Sequence, residues 1–448
     1  MHPGPAPTER RVPDRPATRL SRRRLLAGSA LAAVAASLTS LPRAAPGRAA
    51  ESADEAYQRA FLLAVAEDRN VRRHLEPGRE FLYRPRQLLA ADADAKRVQA
   101  RLREYGHQVE PAGRFAGVTR LAFDREADIP GLVQKLRDRQ QWPGQRPPAV
   151  QPHHVLVGFG NIMGNPGGPP RPAAALAPPD PARAGEGAGV TVGVCDTGIW
   201  RHAGDYHPDW LDGWYLPESD DEDAVYLYDD TLALQGGHGT FVAGVVRQAA
   251  PGVRVDPEAA LDATGIGDEE MLVAALAGLG HADPKRSAAE IVNLSLGGYT
   301  ADDLPPLPLV NALAALPKEV VVVAAAGNSG TDRPAWPAAL DPVLAVGAVT
   351  RDQHGVTPAA YSNYGPWLDV CAIGDRSSTY VKGQLLLPGL PATPFDGFAD
   401  WAGTSFATGH VSGRLAAMMT AGGLTAQEAR LALLAEPRWH PDYGVLVE

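Results

Sequence analysis

The chain has 448 residues, enough for two or three domains with sizeable cores. Hydrophobic residues make up 45% and charged residues 21%, which excludes wholesale disorder. The 42 basic residues are outnumbered by 52 acidic ones, and the net charge of −10 argues against a nucleic-acid-binding domain. Two cysteines exclude a disulfide-rich scaffold and a zinc cluster built mainly from thiolates.

Residues 1–50 are predicted to be a signal peptide. Arg22 and Arg23 precede an Ala/Leu/Val-rich run that reaches Leu41, and small residues follow it. The arginine pair resembles a twin-arginine export signal, although the general secretory route also fits. A membrane anchor is disfavoured because glycine, serine and threonine interrupt the run. We therefore expect a secreted, extracellular protein.

Residues 51–157 are predicted to form a small α+β domain. Helical patterns and short apolar alternations follow one another in a β-α-β-β-α-β order that is typical of ferredoxin-like domains. The predicted strands are Gln87–Ala91, Val118–Phe123 and Val150–Val157, and the predicted helices are Ala95–Tyr105 and Ile129–Arg139. Residues 158–188, rich in proline, glycine and alanine, are predicted to be a linker.

Residues 189–448 are predicted to form an α/β domain with a mostly parallel sheet flanked by helices. Near-continuous apolar runs, typical of buried parallel strands, alternate with helical stretches. The predicted strands are Val190–Val194, Ile291–Leu296, Val320–Ala326 and Val343–Val349, and the helices include Glu269–Leu279 and Leu309–Ala315.

Three segments each place a reactive side chain at a strand end or a helix start. Asp196 ends the first buried strand, His238 lies at a glycine-flanked turn into a helix, and Ser405 opens another helix. Singly, they fit a helix cap, a buried core histidine and an N-cap. Together they supply an orienting carboxylate, a base and a nucleophile in the chain order Asp, His, Ser.

The segments around these residues, 194–199, 236–244 and 403–413, resemble the catalytic motifs of the subtilase family of serine proteases. Residues 323–330 are similar to the family's oxyanion-hole segment, and 293–298 to its substrate-pairing strand. The resemblance covers about residues 188–448 and implies a serine endopeptidase that works through an acyl-enzyme. Two alternatives are a peptide ligase or cyclase of the same fold and a catalytically silent binding module.

The resemblance also implies roles for individual residues. Asp196, His238 and Ser405 would form the catalytic triad, and Asn328 would stabilise the oxyanion together with the Ser405 backbone N–H. No cofactor or metal is needed for the chemistry. The residues that the resemblance assigns to substrate binding are Ser295, Leu296, Gly297, Ala326 and Gly327.

Three further features leave alternatives open. Gly409 stands where the family usually has proline, which motivates the ligase alternative. The acidic stretch from Glu218 to Asp230 is interpreted as a solvated loop, with a structural calcium site or an acidic rim for basic substrates as alternatives. Cys195 and Cys371 are expected to be buried, and whether they form a disulfide is left open.

Residues 51–157 resemble a subtilase propeptide through their pattern alone, and an unrelated accessory domain is the alternative. The resemblance implies a zymogen whose propeptide inhibits the cleft, with maturation between about His154 and Ala188. The partners expected are therefore a peptide or protein substrate and the chain's own propeptide. Nucleic acid is not expected, and the protein is expected to be a monomer.

Overall fold

The computed structural model describes residues 52–158, 168–215, 221–279 and 288–448. The predicted signal peptide therefore lies outside the described residues. The N-terminal unit begins with a helix that the sequence analysis did not predict. Its elements are α1 (Ala53–Glu67), β1 (Arg72–His74), β2 (Phe81–Ala91), α2 (Ala95–Glu104), β3 (Val109–Phe115), β4 (Val118–Phe123), α3 (Ile129–Arg137) and β5 (Val150–Val157).

The β2-α2-β3-β4-α3-β5 part of this unit has the predicted β-α-β-β-α-β succession. Its antiparallel strands lie in the order β5-β2-β4-β3, with α2 and α3 packed on one face. Strand β3 was not predicted because most of its residues are exposed and the strand is broken by a register shift between Pro111 and Gly113. Helix α1 carries a sequence signal, since Ser52 and Glu55 form a capping box at its start.

The C-terminal unit alternates strands and helices over most of its length. Its helices are α4 (Ala203–Tyr206), α5 (His238–Ala249), α6 (Glu269–Leu279), α7 (Leu307–Ala315), α8 (Thr404–Gly422) and α9 (Ala426–Leu434). Its strands are β6 (Arg171–Pro172), β7 (Thr191–Asp196), β8 (Tyr226–Tyr228), β9 (Thr231–Leu232), β10 (Arg254–Ala259), β11 (Ile266–Asp268), β12 (Ile291–Leu294), β13 (Val321–Ala325), β14 (Val343–Asp352), β15 (Gly355–Pro358), β16 (Val370–Ile373), β17 (Asp375–Leu385), β18 (Thr393–Ala402), β19 (Trp439–His440) and β20 (Gly444–Val447).

The main sheet has the strand order β10-β7-β12-β13-β14-β16-β20-β19, and neighbouring strands from β10 to β20 run parallel. One face of the sheet packs against α5, α8 and α9, and the other against α6 and α7. Because both faces are covered, the strands consist of apolar runs without alternation. The prediction of a mostly parallel α/β sheet flanked by helices is confirmed.

The two units meet along the last strand of the first. Strand β5 pairs antiparallel with β11 of the C-terminal unit, so the small sheet continues into the larger domain. Helix α1 packs its buried face, which includes Tyr57 and Phe61, into the core beside α5. Ion pairs join the units at Arg84–Asp268, Arg120–Glu270 and Arg137–Asp302.

The segment predicted to be a linker is described from residue 168 onward. Near the start of this described part, Arg171 and Pro172 pair with Asp400 and Ala399 of β18 in the C-terminal unit. Further along, Gly187 donates to Thr420 Oγ1 at 2.9 Å. Residues 159–167 of the segment lie outside the described residues. Across the part of the chain that the structure describes, no helix is both long and apolar enough to cross a bilayer.

Candidate active site

Asp196 ends β7 at the carboxyl edge of the main sheet, as predicted. The chain then turns sharply at Gly198, whose φ of 90° favours glycine. A Cβ atom at this position would lie 2.2 Å from the main-chain oxygen of Asp221. Only glycine therefore lets the loop that carries Asp196 lie against the acidic loop.

His238 is the first residue of α5 and lies directly against Asp196. Its Nδ1 is 2.7 Å from Asp196 Oδ1 and 2.9 Å from Oδ2, and both side chains are buried. The imidazole also packs against the rings of Trp401 and Phe406, with centroids 5.1 and 5.2 Å away. Since a carboxylate can only accept, Nδ1 carries the proton and Nε2 is left to act as a base.

Ser405, the second residue of α8, is brought to the same edge of the sheet. Its Oγ donates to the main-chain oxygen of Ser295 at 3.4 Å. No hydrogen bond joins Ser405 Oγ to His238 within the described residues. The next residue, Phe406, contacts His238, so Ser405 lies next in the chain to a residue that packs on the imidazole.

Asn328 is held by its carbonyl oxygen. Oδ1 accepts from both the backbone N–H and the hydroxyl of Thr404, each at 2.9 Å. An N–H can only donate, so these bonds fix which end of the amide faces Thr404. Nδ2 is thereby the donor end of the amide, and it lies close to Gly403, just before α8 begins.

The residues predicted to bind substrate divide into two groups. Gly297 exchanges two backbone hydrogen bonds with Val157 of β5, at 2.8 and 3.0 Å, and Leu296 is buried in the same apolar cluster as Leu156. These residues form an edge along which strand β5 of the same chain lies. Ser295 provides the carbonyl that accepts from Ser405.

Ala326 and Gly327 use their backbone groups within the fold. The Ala326 oxygen accepts from Asn363 Nδ2 at 2.8 Å, and the Gly327 oxygen accepts from the Asn363 N–H at 2.9 Å. The Gly327 N–H is bound to Thr404 Oγ1 at 3.1 Å. The sequence analysis did not single out Asn363 or Thr404, which keep this segment beside α8.

Asp223 is a functional candidate that the sequence analysis missed. The interpretation of the acidic stretch as a solvated loop is wrong for Asp221 and Asp223, which are buried, and right for Asp229 and Asp230, which are exposed. Glu218 and Asp220 lie outside the described residues. The amino-acid sequence carries no signal for this, because residues 220–223 are all acidic; the alternation of buried and exposed side chains from Asp221 to Val225 is seen only in the structure.

Asp223 joins the two loops that carry Asp196 and His238. Its Oδ2 accepts from Thr197 Oγ1 and from the Gly237 N–H, both at 2.7 Å. Thr197 Oγ1 in turn accepts from the Gly239 N–H at 3.1 Å. Burial raises the pKa of Asp223 to about 7.

The two cysteines are buried free thiols, so the open question of a disulfide is settled against one. Burial raises the pKa of the Cys195 thiol well above its usual range, and the nearby Glu258 carboxylate adds to the effect. Neither cysteine therefore has the surroundings of a nucleophile. In the described residues, no group of three or more His, Cys, Asp or Glu side chains is arranged to hold a metal ion.

Gly409 allows α8 and α5 to pack closely. A Cβ atom at this position would lie 3.3 Å from Val242 Cγ1 and 3.5 Å from the Val242 oxygen. The contact is tight, so Gly409 does not loosen the packing of α8 on α5 behind Ser405. The packing offers no support for the ligase alternative.

Comparison with known proteins identifies the family. The model of the Subtilase family matches residues 187–435. The "Thermophilic serine proteinase" of Bacillus sp. (strain AK1) is 37% identical over 257 residues, which is 55% of this chain and 55% of that protein. "Subtilisin Savinase" of Lederbergia lenta is 31% identical over 243 residues, 51% of this chain and 76% of that protein. The chain thus spans about half the length of the first of these relatives.

The fold has a counterpart among solved structures. The crystal structure of fervidolysin from Fervidobacterium pennivorans, described as a keratinolytic enzyme related to subtilisin, superposes with a TM-score of 0.55. The match covers 84% of this chain and 61% of that one, at 18% identity, and so speaks for the fold alone. With the family model matching more than half of its length, the chain belongs to the subtilase family of serine proteases.

Proposed function

We propose that the protein is an endopeptidase that hydrolyses peptide bonds through an acyl-enzyme on Ser405. The contact between His238 Nδ1 and both carboxylate oxygens of Asp196 carries this proposal. It fixes the imidazole with Nε2 as the base, at the edge of the sheet where Ser405 begins a helix. In the proposed reaction, Ser405 Oγ transfers its proton to Nε2 as it attacks the carbonyl carbon.

Asp196 stabilises the imidazolium that forms, and the same proton then passes to the leaving amine. The negative charge on the substrate oxygen is met by Asn328 Nδ2 and by the backbone N–H of Ser405. Donors set in advance for that charge bind the transition state more strongly than the substrate. The hydrogen bonds from Thr404 to Asn328 Oδ1 support this role, because they fix the amide before the substrate arrives.

Backbone pairing accounts for substrate binding in this proposal. Strand β5 lies between β11 on one side and Gly297 on the other, with hydrogen bonds to both. A substrate taking the same place would add a strand, and this mode demands few particular side chains. The buried cluster around Leu156, Leu261 and Leu296 supports a preference for an apolar side chain at one position.

We propose that residues 51–157 are an inhibitory propeptide, since β5 occupies the edge that a substrate needs. Helix α1 adds a second attachment near the start of α5. Tyr57 Oη donates to the Leu234 oxygen at 2.8 Å and accepts from Gln235 Nε2 at 2.6 Å.

Export through the predicted signal peptide, a monomeric state and a structural calcium ion remain proposals of the sequence analysis.

The register of β5 supports a proposal for the bond that is cut in maturation. Val157 pairs with Gly297, and the Gly158 N–H donates to the Gly265 oxygen at 2.9 Å. If this antiparallel pairing ran on for two residues, position 159 would face Ser295, whose oxygen lies 3.4 Å from Ser405 Oγ. Residues 159–167 lie outside the described residues, so the proposal is based on the hydrogen bonds of Val157 and Gly158. We propose cleavage between Phe159 and Gly160.

N-terminal sequencing of the matured protein tests this proposal. The expected mature chain begins at Gly160, or at a later residue if trimming follows. A Val157→Pro variant removes the N–H that donates to Gly297 and should slow maturation, roughly tenfold for one lost backbone bond. Arg114→Gln, an exposed change in the same unit, should mature at the normal rate. A mature protein that still begins near residue 51 would contradict the propeptide assignment.

Hydrolysis of an unfolded protein substrate by the matured enzyme tests the activity itself. A matched reaction with a peptide ester and a free amine separates hydrolysis from ligation, the alternative raised by Gly409. We expect the hydrolysed product to dominate. Ligated product in excess would favour the ligase, and the absence of both products would favour the silent binding module.

The pH dependence of stability tests the buried Asp223. Since its pKa is raised from 3.8 to about 7, the folded state binds a proton that the unfolded state releases. Its contribution to stability is therefore full below about pH 4 and is lost as the pH rises to about 7, by roughly 4 kcal/mol at most. Asp223→Asn keeps an acceptor for Thr197 and Gly237 but cannot ionise.

We expect the difference in unfolding temperature, Asp223→Asn minus parent, to increase between pH 4 and 7 and then to level off. The parent and the variant both carry Ser405→Ala to prevent self-digestion. Asp223→Ala loses both hydrogen bonds and should be destabilised by about 1–3 kcal/mol even at pH 4. Parallel curves for the parent and Asp223→Asn across this range would show that Asp223 does not titrate as described.

A further inference from the structure

Asn363 is a polar side chain buried beside the segment that carries Asn328. It belongs to the loop between β15 and β16, and its exposed fraction is 0%. On one side of Asn328, Asn363 Nδ2 donates to the Ala326 oxygen at 2.8 Å, and the Asn363 N–H donates to the Gly327 oxygen at 2.9 Å. On the other side, Asn363 Oδ1 accepts from the Ser329 N–H at 3.0 Å. One residue therefore holds the main chain both before and after Asn328.

The orientation of the Asn363 amide follows from these partners. A main-chain oxygen only accepts and a main-chain N–H only donates, so Nδ2 faces Ala326 and Oδ1 faces Ser329. Nδ2 also donates to Tyr299 Oη at 2.9 Å, and Oδ1 also accepts from the Thr331 N–H at 3.4 Å. The amide thus makes the four hydrogen bonds that its two ends allow. A buried polar group that is fully satisfied in this way favours one arrangement of the chain around it.

The position of Asn328 Nδ2 depends on two constraints. Thr404 holds the far end of the Asn328 side chain, through its two hydrogen bonds to Oδ1 at 2.9 Å. Asn363 holds the main chain on either side, and with it the Cα atom from which this side chain starts. A short side chain that is held at both ends leaves Nδ2 little freedom. Such precision matters because donors for a developing charge work only within about 0.5 Å of the productive geometry.

We propose that Asn363 is a positioning residue for peptide hydrolysis and acts on the reaction through Asn328. The inference rests on the proposed function, in which Asn328 Nδ2 meets the negative charge on the substrate oxygen. The hydrogen-bonding capacity of the Asn363 side chain is already used within the fold, so the residue itself does not bind the substrate. Its loss should therefore weaken binding of the transition state more than binding of the substrate, which lowers kcat and leaves KM nearly unchanged.

A double-mutant cycle on kcat tests this proposal. The four matured proteins are the parent, Asn363→Ala, Asn328→Ala and the double variant, each assayed with the same fluorogenic peptide. Misplacement of a group by about 1 Å can cost about 100-fold in rate, so Asn363→Ala should lower kcat by roughly 10- to 100-fold, with KM within about threefold. When Asn328 is already alanine, the donor is gone, and Asn363→Ala should lower kcat by less than about threefold.

Ser362→Ala is the matched control. Ser362 is also buried, and its Oγ accepts from the Ala348 N–H at 2.9 Å and donates to the Asn363 main-chain oxygen at 2.8 Å. The variant loses two buried hydrogen bonds, and neither of them reaches residues 326–331. We expect a lower unfolding temperature, measured in proteins that also carry Ser405→Ala, while kcat of the active Ser362→Ala enzyme stays within about threefold of the parent.

Three results would overturn the proposal. Equal fold losses in kcat from Asn363→Ala in the parent and in Asn328→Ala would show that Asn363 acts independently of Asn328. A higher KM with unchanged kcat would make Asn363 a residue for substrate binding, and an equal loss in Ser362→Ala would show a general effect of stability. An inactive parent would instead contradict the proposed function. If Asn363→Ala does not fold, Asn363→Ser, whose hydroxyl can keep one of the lost hydrogen bonds, takes its place in the cycle.

Discussion

Replacement of Ser405 by alanine is expected to lower kcat for peptide hydrolysis by roughly a millionfold, the magnitude established for the nucleophile of subtilisin, a relative of this chain. The loss is this large because His238 and Asp196 have no hydroxyl left to activate. The variant should also fail to cleave its own chain, so that residues 52–158 stay attached. Hydrolysis of a fluorogenic peptide and the size of the purified chain measure the two effects.

Ser412→Ala is the matched control for this substitution. Ser412 lies on the same helix and is also buried, and its hydroxyl donates to Asn293 Oδ1 at 3.0 Å. Its loss should cost stability, about 1 kcal/mol, while activity stays within roughly tenfold of the wild type. A Ser405→Ala protein that still matures and hydrolyses peptides would place the nucleophile on another residue.

Asp196→Asn is expected to lower kcat by roughly 10⁴-fold, the magnitude known for the equivalent change in a serine protease of unrelated fold. The amide of asparagine can donate to Nδ1 of His238, which favours the tautomer with its proton on Nε2. That tautomer cannot accept the proton of Ser405. Substrate binding should change little, because Asp196 is buried beneath His238 and away from the strand-pairing edge.

Asp223→Asn provides the comparison for Asp196→Asn, since it changes another buried carboxylate of the same loops. It keeps the hydrogen bonds from Thr197 and Gly237, so its kcat should stay within roughly tenfold of the wild type. Steady-state kinetics on one peptide substrate distinguishes the two variants. Equal losses in both would mean that Asp196 acts only by holding the loops together.

The layout of the large domain could be predicted because its strands are buried on both faces. Runs such as Val343–Val349 need no alternation when helices cover both sides of a sheet. The motifs at Asp196 and His238 were also informative, since the turns beside them require glycine. At Gly198, for instance, a side chain would collide with the backbone of Asp221.

Features that depend on tertiary contact were missed or left open. Asp223 belongs to an acidic stretch that looks solvated, and only its hydrogen bonds to Thr197 and Gly237 show that it is a buried link. Strand β3 has few apolar residues, so pairing with β4 decides its conformation. The direction of the Ser405 hydroxyl depends on a rotamer choice among nearby acceptors, which the amino-acid sequence does not encode.

The docking of β5 shows the same limit. Its apolar pattern predicted a strand, but pairing with β11 and Gly297 depends on how the two units meet. No local pattern in residues 150–157 specifies that partner. The proposed cleavage between Phe159 and Gly160 therefore depends on the pairing of Val157 with Gly297, which the amino-acid sequence does not give.

Labelling with a fluorophosphonate, followed by peptide mapping of the adduct, tests the catalytic assignment most directly. The reagent reacts with a serine whose hydroxyl is activated by a neighbouring base, so it reports whether Oγ and the imidazole come together in solution. We expect a single adduct on Ser405 in the matured protein, and none in Ser405→Ala or His238→Ala. An adduct on a different serine, or equal labelling of all three proteins, would contradict the proposed triad.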